Sequence, residues 1–359
     1  MKQSTHTYVY VGTYAHQQDP GIFVYTLDND KGTLNYVNST AGIEHPGFLA
    51  ISNDQQRLYT VSETGEIMGQ VGGSVAAFAI EAESQALTFL NQRPTTGEDP
   101  CHISLDGSQH YIVVSNYSGG SICLYPLQAN GEIGELADKI QHQGNSNVVP
   151  ERQEKAHTHS ATFDASGKYA FVADLGQDKI STYKLDTTAQ KLVHVADTIT
   201  KPGAGPRHFT FHPSANYAYC INELDSTITA YTFDSQSKEL KSLQTISTLP
   251  ADFQGENTTA DIHIHPAGTF LYGSNRGHDS IAVFALDPAT GRLSSIEQVT
   301  TQGKCPRNFA LTPAGNFLLA ANQLSDNIVT FAIDQQTGRL TATGDKIEVP
   351  SPVCIKIID

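Results

Sequence analysis

Apolar and polar residues alternate along most of the chain, and Gly, Asn, Asp and Pro interrupt the alternation every few residues. A period of two is typical of β-strands with one buried face, and the interrupting residues are those that favour turns. Helical spacing of apolar residues does not persist over any long stretch. The pattern therefore predicts an all-β protein built from short strands.

One unit recurs along this pattern. It contains an apolar strand, an Asp-Gly or Pro-x-Gly type of turn, a second strand that ends in Asn or Asp, a polar turn and a third strand. The last apolar residue of the first strand serves as an anchor, and the anchors are Ile51, Leu105, Phe163, Phe211, Ile264 and Leu311. Successive anchors lie 47 to 58 residues apart. Such a spacing fits one four-stranded blade of a β-propeller.

The two ends of the chain supply a seventh copy. PVCIKI, from Pro352, resembles a first strand, whereas TYVYVGTY and GIFVYTL near the N-terminus resemble second and third strands. Joining them closes the ring and removes free sheet edges. We therefore predict a seven-bladed β-propeller forming a single domain over 1–359, with 352–357 pairing beside 7–13. Polar inserts at about 139–157 and 251–259 are interpreted as loops over one face.

Two columns of equivalent positions should face one mouth of the central channel, provided that the first strand of each blade is innermost. The column four residues before each anchor reads Gly47, Cys101, His159, Arg207, Ala260, Arg307 and, in the split copy, Val353. The column twelve residues after reads Glu63, Tyr117, Leu175, Glu223, Arg276 and Gln323. These columns vary between copies and concentrate charge, which favours a binding site. The preceding column, mostly Asn, suits turn caps.

A structural interpretation of the same arginines stays open. Arg207 and Arg307 each follow a Pro and could hydrogen-bond to carbonyl groups of neighbouring blades. Buried ion networks are also often structural rather than functional.

Composition narrows the classes of partner. The formal net charge is −15, which disfavours binding to nucleic acid and to anionic membranes. Apolar runs fall far short of the roughly 20 residues that span a bilayer. The N-terminus has no apolar core of a signal peptide, and five scattered cysteines suggest reduced thiols. We expect a cytoplasmic protein that is a monomer or a weak homo-oligomer.

Metal and cofactor motifs are weak. His157 and His159, and His263 and His265, form HxH pairs, but further ligands at typical spacing are lacking apart from Asp261. His265 precedes a Pro, as His212 does one blade earlier, so both are interpreted as turn residues. P-loop, dinucleotide and GxSxG motifs do not occur. We expect neither a metal nor a cofactor.

Several long motifs resemble a known family. AHTHSATFD, GAGPRHFTFHP with NEL, ADIHIHPAGTFLYGSNRG and PRNFALTPAG are similar to segments of the lactonase-type seven-bladed propellers. That family includes cycloisomerase-2-type 6-phosphogluconolactonases and 3-carboxy-cis,cis-muconate lactonizing enzymes. The resemblance covers nearly the whole chain. It implies four active residues, which are His159 of HxHS, Arg207 of GPRH, Glu223 of NEL and Arg276 of SNRG. All four also fall in the two columns defined above.

The resemblance implies metal-independent hydrolysis of a small anionic sugar lactone, with 6-phospho-D-glucono-1,5-lactone of the pentose phosphate pathway as the expected substrate. Glu223 or His159 would deprotonate water, and Arg207 and Arg276 would bind the oxyanion or a phosphate. Further residues expected to contact substrate are His208, Arg307, Asn222, Asn275, Gln323 and Glu63. Two alternatives are a lactonizing cycloisomerase and a non-enzymatic propeller that binds a partner through apolar patches at its mouth.

Overall fold

The computed structural model describes residues 7–67 and 69–359, which form thirty strands and one short 3₁₀ helix. The first nine strands are β1 (Thr7–Thr13), β2 (Ile22–Leu27), β3 (Leu34–Thr40), β4 (Leu49–Ile51), β5 (Arg57–Ser62), β6 (Glu66–Ile67), β7 (Gln70–Val71), β8 (Ser74–Ile80) and β9 (Leu87–Pro94). Two groups of four follow: β10 (Pro100–Leu105), β11 (Tyr111–Asn116), β12 (Ser121–Pro126), β13 (Asp138–Gln141), then β14 (Thr158–Phe163), β15 (Tyr169–Asp174), β16 (Lys179–Asp186) and β17 (Lys191–Ile199).

The second half repeats the same grouping. Its strands are β18 (Pro206–Phe211), β19 (Tyr217–Asn222), β20 (Thr227–Phe233), β21 (Leu240–Ser247), β22 (Thr258–Ile264), β23 (Phe270–Arg276), β24 (Ser280–Leu286) and β25 (Leu293–Thr300). They continue with β26 (Pro306–Leu311), β27 (Phe317–Asn322), β28 (Asn327–Ile333), β29 (Leu340–Glu348) and β30 (Pro352–Ile358). The 3₁₀ helix covers Gln323–Ser325.

These strands form seven four-stranded antiparallel sheets, and β6 and β7 form a separate two-stranded hairpin that lies between β5 and β8 in the chain. The first strands of neighbouring sheets contact each other in the order β4, β10, β14, β18, β22, β26, β30 and again β4. The ring is therefore closed, and the first strand of each blade is innermost. The prediction of an all-β, seven-bladed propeller is confirmed.

The seventh blade has the order β3-β2-β1-β30, so both ends of the chain contribute to one sheet. Val11 pairs with Ile355, and Tyr8 pairs with Ile358. This pairing confirms the predicted closure between 352–357 and 7–13. It satisfies backbone groups that would otherwise remain at two open sheet edges.

The hydrophobic core lies between neighbouring blades. In one such layer, Ile221 and Ile228 of one blade pack with Ile262, Leu271 and Phe284 of the next, all of them buried. Outer strands are exposed on one side, as the alternating burial of β17 shows. Each blade thus buries both faces near the axis and only part of its surface at the rim.

The predicted loops need two corrections at their ends. Asp138–Gln141 forms β13, the outermost strand of its blade, and pairs with Ser121–Leu124. Its polar sequence suggests a loop, because an outermost strand is largely exposed and carries little apolar signal. At the second insert, β22 already begins at Thr258. Residues 142–157 do form a long connection, and this segment is called the mouth loop below.

No helix in the described ranges has the length and apolar character needed to cross a membrane. The five cysteines are all unpaired, and four of them are buried. Cys123, for example, donates to the backbone carbonyl of Thr95.

Candidate active site

The first column of predicted site residues coincides with a β-bulge at the start of the innermost strands. In β14, Thr158 pairs with Asp174 and Ser160 with Ala173, so His159 is left out of the ladder. Arg207 is left out of β18 in the same way. A bulge inserts an unpaired residue and redirects its side chain. The same register shift at Cys101, Arg307 and Val353 explains why this column projects into the mouth of the channel.

The second column is positioned by a repeated backbone hydrogen bond just after the second strand. The amide of Glu223 donates to the carbonyl of Gly205 at 2.7 Å, and the amide of Glu63 donates to His45 at 3.0 Å. In each case the acceptor lies two residues before the first-column residue of the same blade, Arg207 or Gly47. The two columns are therefore held side by side at one mouth, as the antiparallel arrangement predicts.

The structure brings His159, Arg207, Glu223 and Arg276 together around the Glu223 carboxylate. Nε of Arg207 lies 2.8 Å from Oε2 of Glu223, and Nη2 of Arg276 lies 3.0 Å from the same oxygen. Nε2 of His159 is 3.9 Å from that oxygen, too far for a direct hydrogen bond. Side chains from three blades thus converge on one point at the mouth.

A fifth side chain completes this cluster, and it lies at no repeat position or motif of the sequence. Nη2 of Arg152 forms a very short ion pair with Oε1 of Glu223 and donates to the hydroxyl of Tyr117 at 3.2 Å. Arg152 lies on the mouth loop, outside the repeat. The only sequence signal was an arginine within a polar insert of an acidic chain. We call these five residues the Glu223 cluster: His159, Arg152, Arg207, Glu223 and Arg276.

The charges of the cluster do not cancel. Three guanidinium groups surround one carboxylate, which leaves two positive charges in a protein whose formal net charge is −15. Burial alone would raise the pKa of Glu223, but Arg276, Arg207 and Arg152 outweigh it and hold that pKa well below its usual range. Burial and the nearby Arg276 lower the pKa of Arg207 to about 10. Glu223 is therefore ionised and Arg207 protonated at neutral pH.

His159 is neutral in this environment. Burial and the charge of Arg207 lower its pKa well below the ordinary value of 6.5. Its Nδ1 faces the sulfur of Cys101 at 3.8 Å, and the ring lies 5.3 Å from that of Tyr117. In the tautomer with the proton on Nδ1, the Nε2 atom, which faces Glu223, is a hydrogen-bond acceptor.

The structural interpretation proposed for Arg207 and Arg307 holds for Arg207, whereas the contacts of Arg307 within the described ranges are with the side chains of Glu63 and Tyr14. Nη1 of Arg207 donates to the carbonyl of Ala260 in the next blade at 2.6 Å, and Nη2 of Arg276 donates to Thr259 at 2.7 Å. These bonds fix the two guanidinium groups without using all their donors. Nε of Arg276 is buried and has no hydrogen-bond partner among the described residues.

Arg307 and Glu63 form a separate pair at the same mouth. Their closest atoms are 3.5 Å apart, and the Tyr14 hydroxyl donates to Glu63 at 2.8 Å. Burial raises the pKa of Glu63, although Arg307 opposes that rise. Gly47 allows this arrangement, since a Cβ there would lie 2.6 Å from Oε2 of Glu63. This one-to-one pair leaves no excess charge.

His208 follows Arg207 in β18 and is buried between Arg207 and Asp261. Its Nδ1 is 2.8 Å from Oδ1 of Asp261, and its Nε2 is 3.3 Å from Nη1 of Arg207. Burial and Arg207 lower the pKa of His208 to about 4. It therefore supports Arg207 as a neutral ring, and it does not offer the positive charge expected of a phosphate contact.

Asn222 and Asn275 do not reach the mouth, contrary to the expectation that they bind substrate. Both are fully buried, and their amides donate five residues ahead, to Thr227 and Ser280 respectively. They cap the turns between second and third strands, which is the role their column suggested. Gln323 begins the 3₁₀ helix, and its backbone amide donates to Cys305. No contact joins it to the Glu223 cluster in the described part of the chain.

In each HxH pair, the two histidines contact different neighbouring groups. Nε2 of His157 is 3.1 Å from Glu154, whereas His263 lies 2.9 Å from Asp261. His212 and His265 accept backbone amides within their own turns, which confirms them as turn residues. Within the described ranges, the one group of three closely spaced ligand types is His16, Glu44 and His45, and it shares no residue with the Glu223 cluster.

Comparisons with known proteins agree with this fold. The family described as "Lactonase, 7-bladed beta-propeller" matches residues 8–357. The 6-phosphogluconolactonase of Bacillus subtilis is 37% identical over 349 residues, which cover 97% of each chain. That of Formosa agariphila is 37% identical over 309 residues, covering 84% of this chain and 86% of its own.

A solved structure gives the same result. The periplasmic gluconolactonase of Pseudomonas aeruginosa superposes with a TM-score of 0.93 at 33% identity, with 99% of each chain covered. The family match spans nearly the whole chain, and relatives above 30% identity cover nearly all of it. The chain therefore belongs to the family of seven-bladed β-propeller lactonases.

Proposed function

We propose that this protein hydrolyses a phosphorylated sugar-acid lactone, 6-phospho-D-glucono-1,5-lactone, to 6-phosphogluconate. The observation that carries the proposal is the Glu223 cluster, in which three guanidinium groups and a neutral histidine surround one carboxylate at the channel mouth. The two surplus positive charges match a phosphate monoester, which carries about −1.5 to −2 charges at pH 7. The named activity of the two 6-phosphogluconolactonase relatives supports the same substrate.

His159 acts as the general base in this proposal. Its low pKa keeps the ring neutral, and in the tautomer with the proton on Nδ1 its Nε2 can accept a proton from a water that attacks the C1 carbonyl. Glu223 is a poorer candidate, because both of its carboxylate oxygens are already paired with guanidinium groups, Oε1 with Arg152 and Oε2 with Arg207 and Arg276. Glu223 instead positions Arg207 and Arg276.

Arg276 and Arg207 stabilise the charge that develops on the C1 oxygen. Attack by water forms a C–O bond to C1 and places negative charge on the former carbonyl oxygen, while the proton moves to His159. The unpaired Nε of Arg276 is a donor available to such an oxyanion. Collapse of the intermediate breaks the C1–O5 bond, and protonated His159 returns its proton to the departing O5 atom. The ring opens to the free acid.

The test is an assay on freshly prepared 6-phosphogluconolactone, corrected for its spontaneous hydrolysis, with and without exhaustive chelation. Turnover well above the spontaneous rate in both samples supports a metal-independent lactonase. Loss of activity on chelation that a divalent ion restores would contradict metal independence. A carboxylated muconate, tested in parallel, distinguishes a lactonizing cycloisomerase, which would act on it and leave the lactone intact.

The remaining expectations belong to this proposal. The lactone is a small anion, and nucleic acid is disfavoured as a partner by the net charge of −15. Five unpaired cysteines support a cytoplasmic location. A monomer or weak homo-oligomer is expected, and light scattering at several protein concentrations would test it.

A further inference from the structure

The mouth loop places one arginine over residues that are otherwise almost enclosed. The side chains of Arg207, Glu223, His159 and Arg276 are only 2%, 4%, 5% and 13% exposed, whereas that of Arg152 is 37% exposed. Arg152 bridges Glu223 and Tyr117, which belong to the two blades on either side of the blade of His159. A ligand that approaches from solvent therefore meets Arg152 before it reaches the other four.

The backbone beneath Arg152 is firmly held. The neighbouring Gln153 is fully buried and donates from Nε2 to the carbonyl of Leu175 at 2.9 Å. At the start of the loop, Nδ1 of His142 is 2.7 Å from Asp174, and the Tyr183 hydroxyl is 2.9 Å from Nε2 of the same ring. Movement at this position is therefore a rotation of the Arg152 side chain about a fixed backbone.

Arg152 is also the partner that Glu223 can lose most easily. Without it, Glu223 keeps Arg207 at 2.8 Å and Arg276 at 3.0 Å, and it remains outnumbered by cations. Arg207 is tied to a backbone carbonyl of the adjacent blade and Arg276 to a backbone carbonyl of its own blade, whereas the side chain of Arg152 otherwise donates to the Tyr117 hydroxyl. An incoming dianion can thus draw Arg152 away from Glu223 while the rest of the cluster keeps its geometry.

We propose that Arg152 determines specificity for phosphorylated lactones: it covers the Glu223 cluster when no ligand is bound and rotates to bind the phosphate of the substrate. This inference rests on the proposed lactonase function. It also addresses a difference among relatives, since those named above include both 6-phosphogluconolactonases and a gluconolactonase.

The experiment compares Arg152→Ala, Arg152→Lys and a control, Arg339→Ala, which removes an exposed arginine paired with Glu297. Binding of the stable products 6-phosphogluconate and gluconate is measured by calorimetry, and kcat/KM is measured on the two corresponding lactones. We expect Arg152→Ala to weaken 6-phosphogluconate binding by about 10- to 100-fold, mostly through KM in turnover, with gluconate little affected. The loss of affinity in Arg152→Lys should lie between those two cases, because lysine keeps the positive charge but lacks the planar guanidinium group.

The two proposals fail in different ways. If Arg152→Ala keeps the wild-type ratio of affinities for 6-phosphogluconate and gluconate, Arg152 does not recognise the phosphate, whatever the rate of turnover. If the wild-type protein binds 6-phosphogluconate through Arg152 but hydrolyses neither lactone, the lactonase proposal is wrong while the phosphate contact stands. A parallel loss with both products in Arg152→Ala would also contradict specificity, since it would indicate a general role in the site.

Discussion

Two buried carboxylates lie in the same channel, and their surroundings differ in kind. Asp261 accepts from Asn308 at 2.5 Å and from the backbone amide of Ile262 at 2.9 Å, and it is 2.8 Å from His208 and 2.9 Å from His263. Glu223 instead faces three guanidinium groups. The hydrogen-bond donors to Asp261 need carry no charge. The single negative charge of Glu223, in contrast, is exceeded by the three positive charges of the guanidinium groups around it.

The difference separates a structural network from a binding site. A carboxylate satisfied by four nearby donors locks three blades together and leaves nothing for a ligand. A carboxylate with surplus guanidinium groups holds them in place while leaving donors and positive charge for an anion. Distance to the axis alone does not make this distinction, because both groups lie along it.

The largest effect is expected from His159→Asn. Asparagine retains a polar side chain but cannot act as a base, so kcat should fall by about 10²- to 10⁴-fold. The thermal midpoint should change little, because His159 makes no direct hydrogen bond to Glu223. Steady-state kinetics and thermal unfolding measure both quantities. A kcat close to that of the wild type would exclude His159 as the base.

Glu223→Gln should reduce both activity and stability. Loss of the charge leaves three guanidinium groups without a counter-ion, so unfolding free energy should fall by about 3–5 kcal/mol and kcat by about 10²-fold. Chemical denaturation and lactone turnover are the measurements, with Glu63→Gln as the control at the one-to-one pair. If kcat falls while stability is unchanged, Glu223 is a base rather than a positioning residue.

Asp261→Asn should affect stability more than turnover. The new amide group would face the amide of Asn308, which now donates to Asp261, so a buried donor loses its acceptor. We expect unfolding free energy to fall by about 1–3 kcal/mol and kcat to change by less than about three-fold. A loss of activity as large as that of Glu223→Gln would show that the two carboxylates act as one unit.

The smallest effect concerns pH. The neutral form of His159 is the active one, so activity is lost as pH falls through its folded-state pKa. Burial and Arg207 place that pKa well below 6.5, so kcat/KM at pH 6 should stay within about two-fold of its value at pH 7. A pH–rate profile corrected for spontaneous hydrolysis measures this. An acid limb centred near 6.5 or above would contradict the proposed environment of the base.

Much of the architecture was predictable because it repeats. Each blade has the same order of strands and turns, so the anchors from Ile51 to Leu311 reveal the period, and the split copy at Pro352 reveals the closure. The alignment of copies also placed His159, Arg207, Glu223 and Arg276 at one mouth. Equivalent positions in a ring must converge on its axis, whatever their distance along the chain.

Aligning the copies does not reveal which of two adjacent columns of residues is exposed at the mouth. Asn222 and Glu223 are adjacent in sequence, yet the first caps a buried turn and the second faces the mouth. His208 follows Arg207 directly but pairs with Asp261 rather than with Glu223. The bulge at Arg207 reverses the simple alternation of faces there, and a bulge leaves little trace in a single sequence.

By itself, the sequence determined the seven-bladed ring, its closure by both termini and the residue types that line one mouth, because alternation and repetition are local properties of the chain. Only the tertiary structure decided the balance of charge at that mouth. Arg152 lies 71 residues from its partner Glu223, on a loop outside the repeat, and anchors such as Gln153 on Leu175 set where it points. Contacts of this kind depend on the whole fold, since no local pattern specifies which carboxylate a loop arginine will meet.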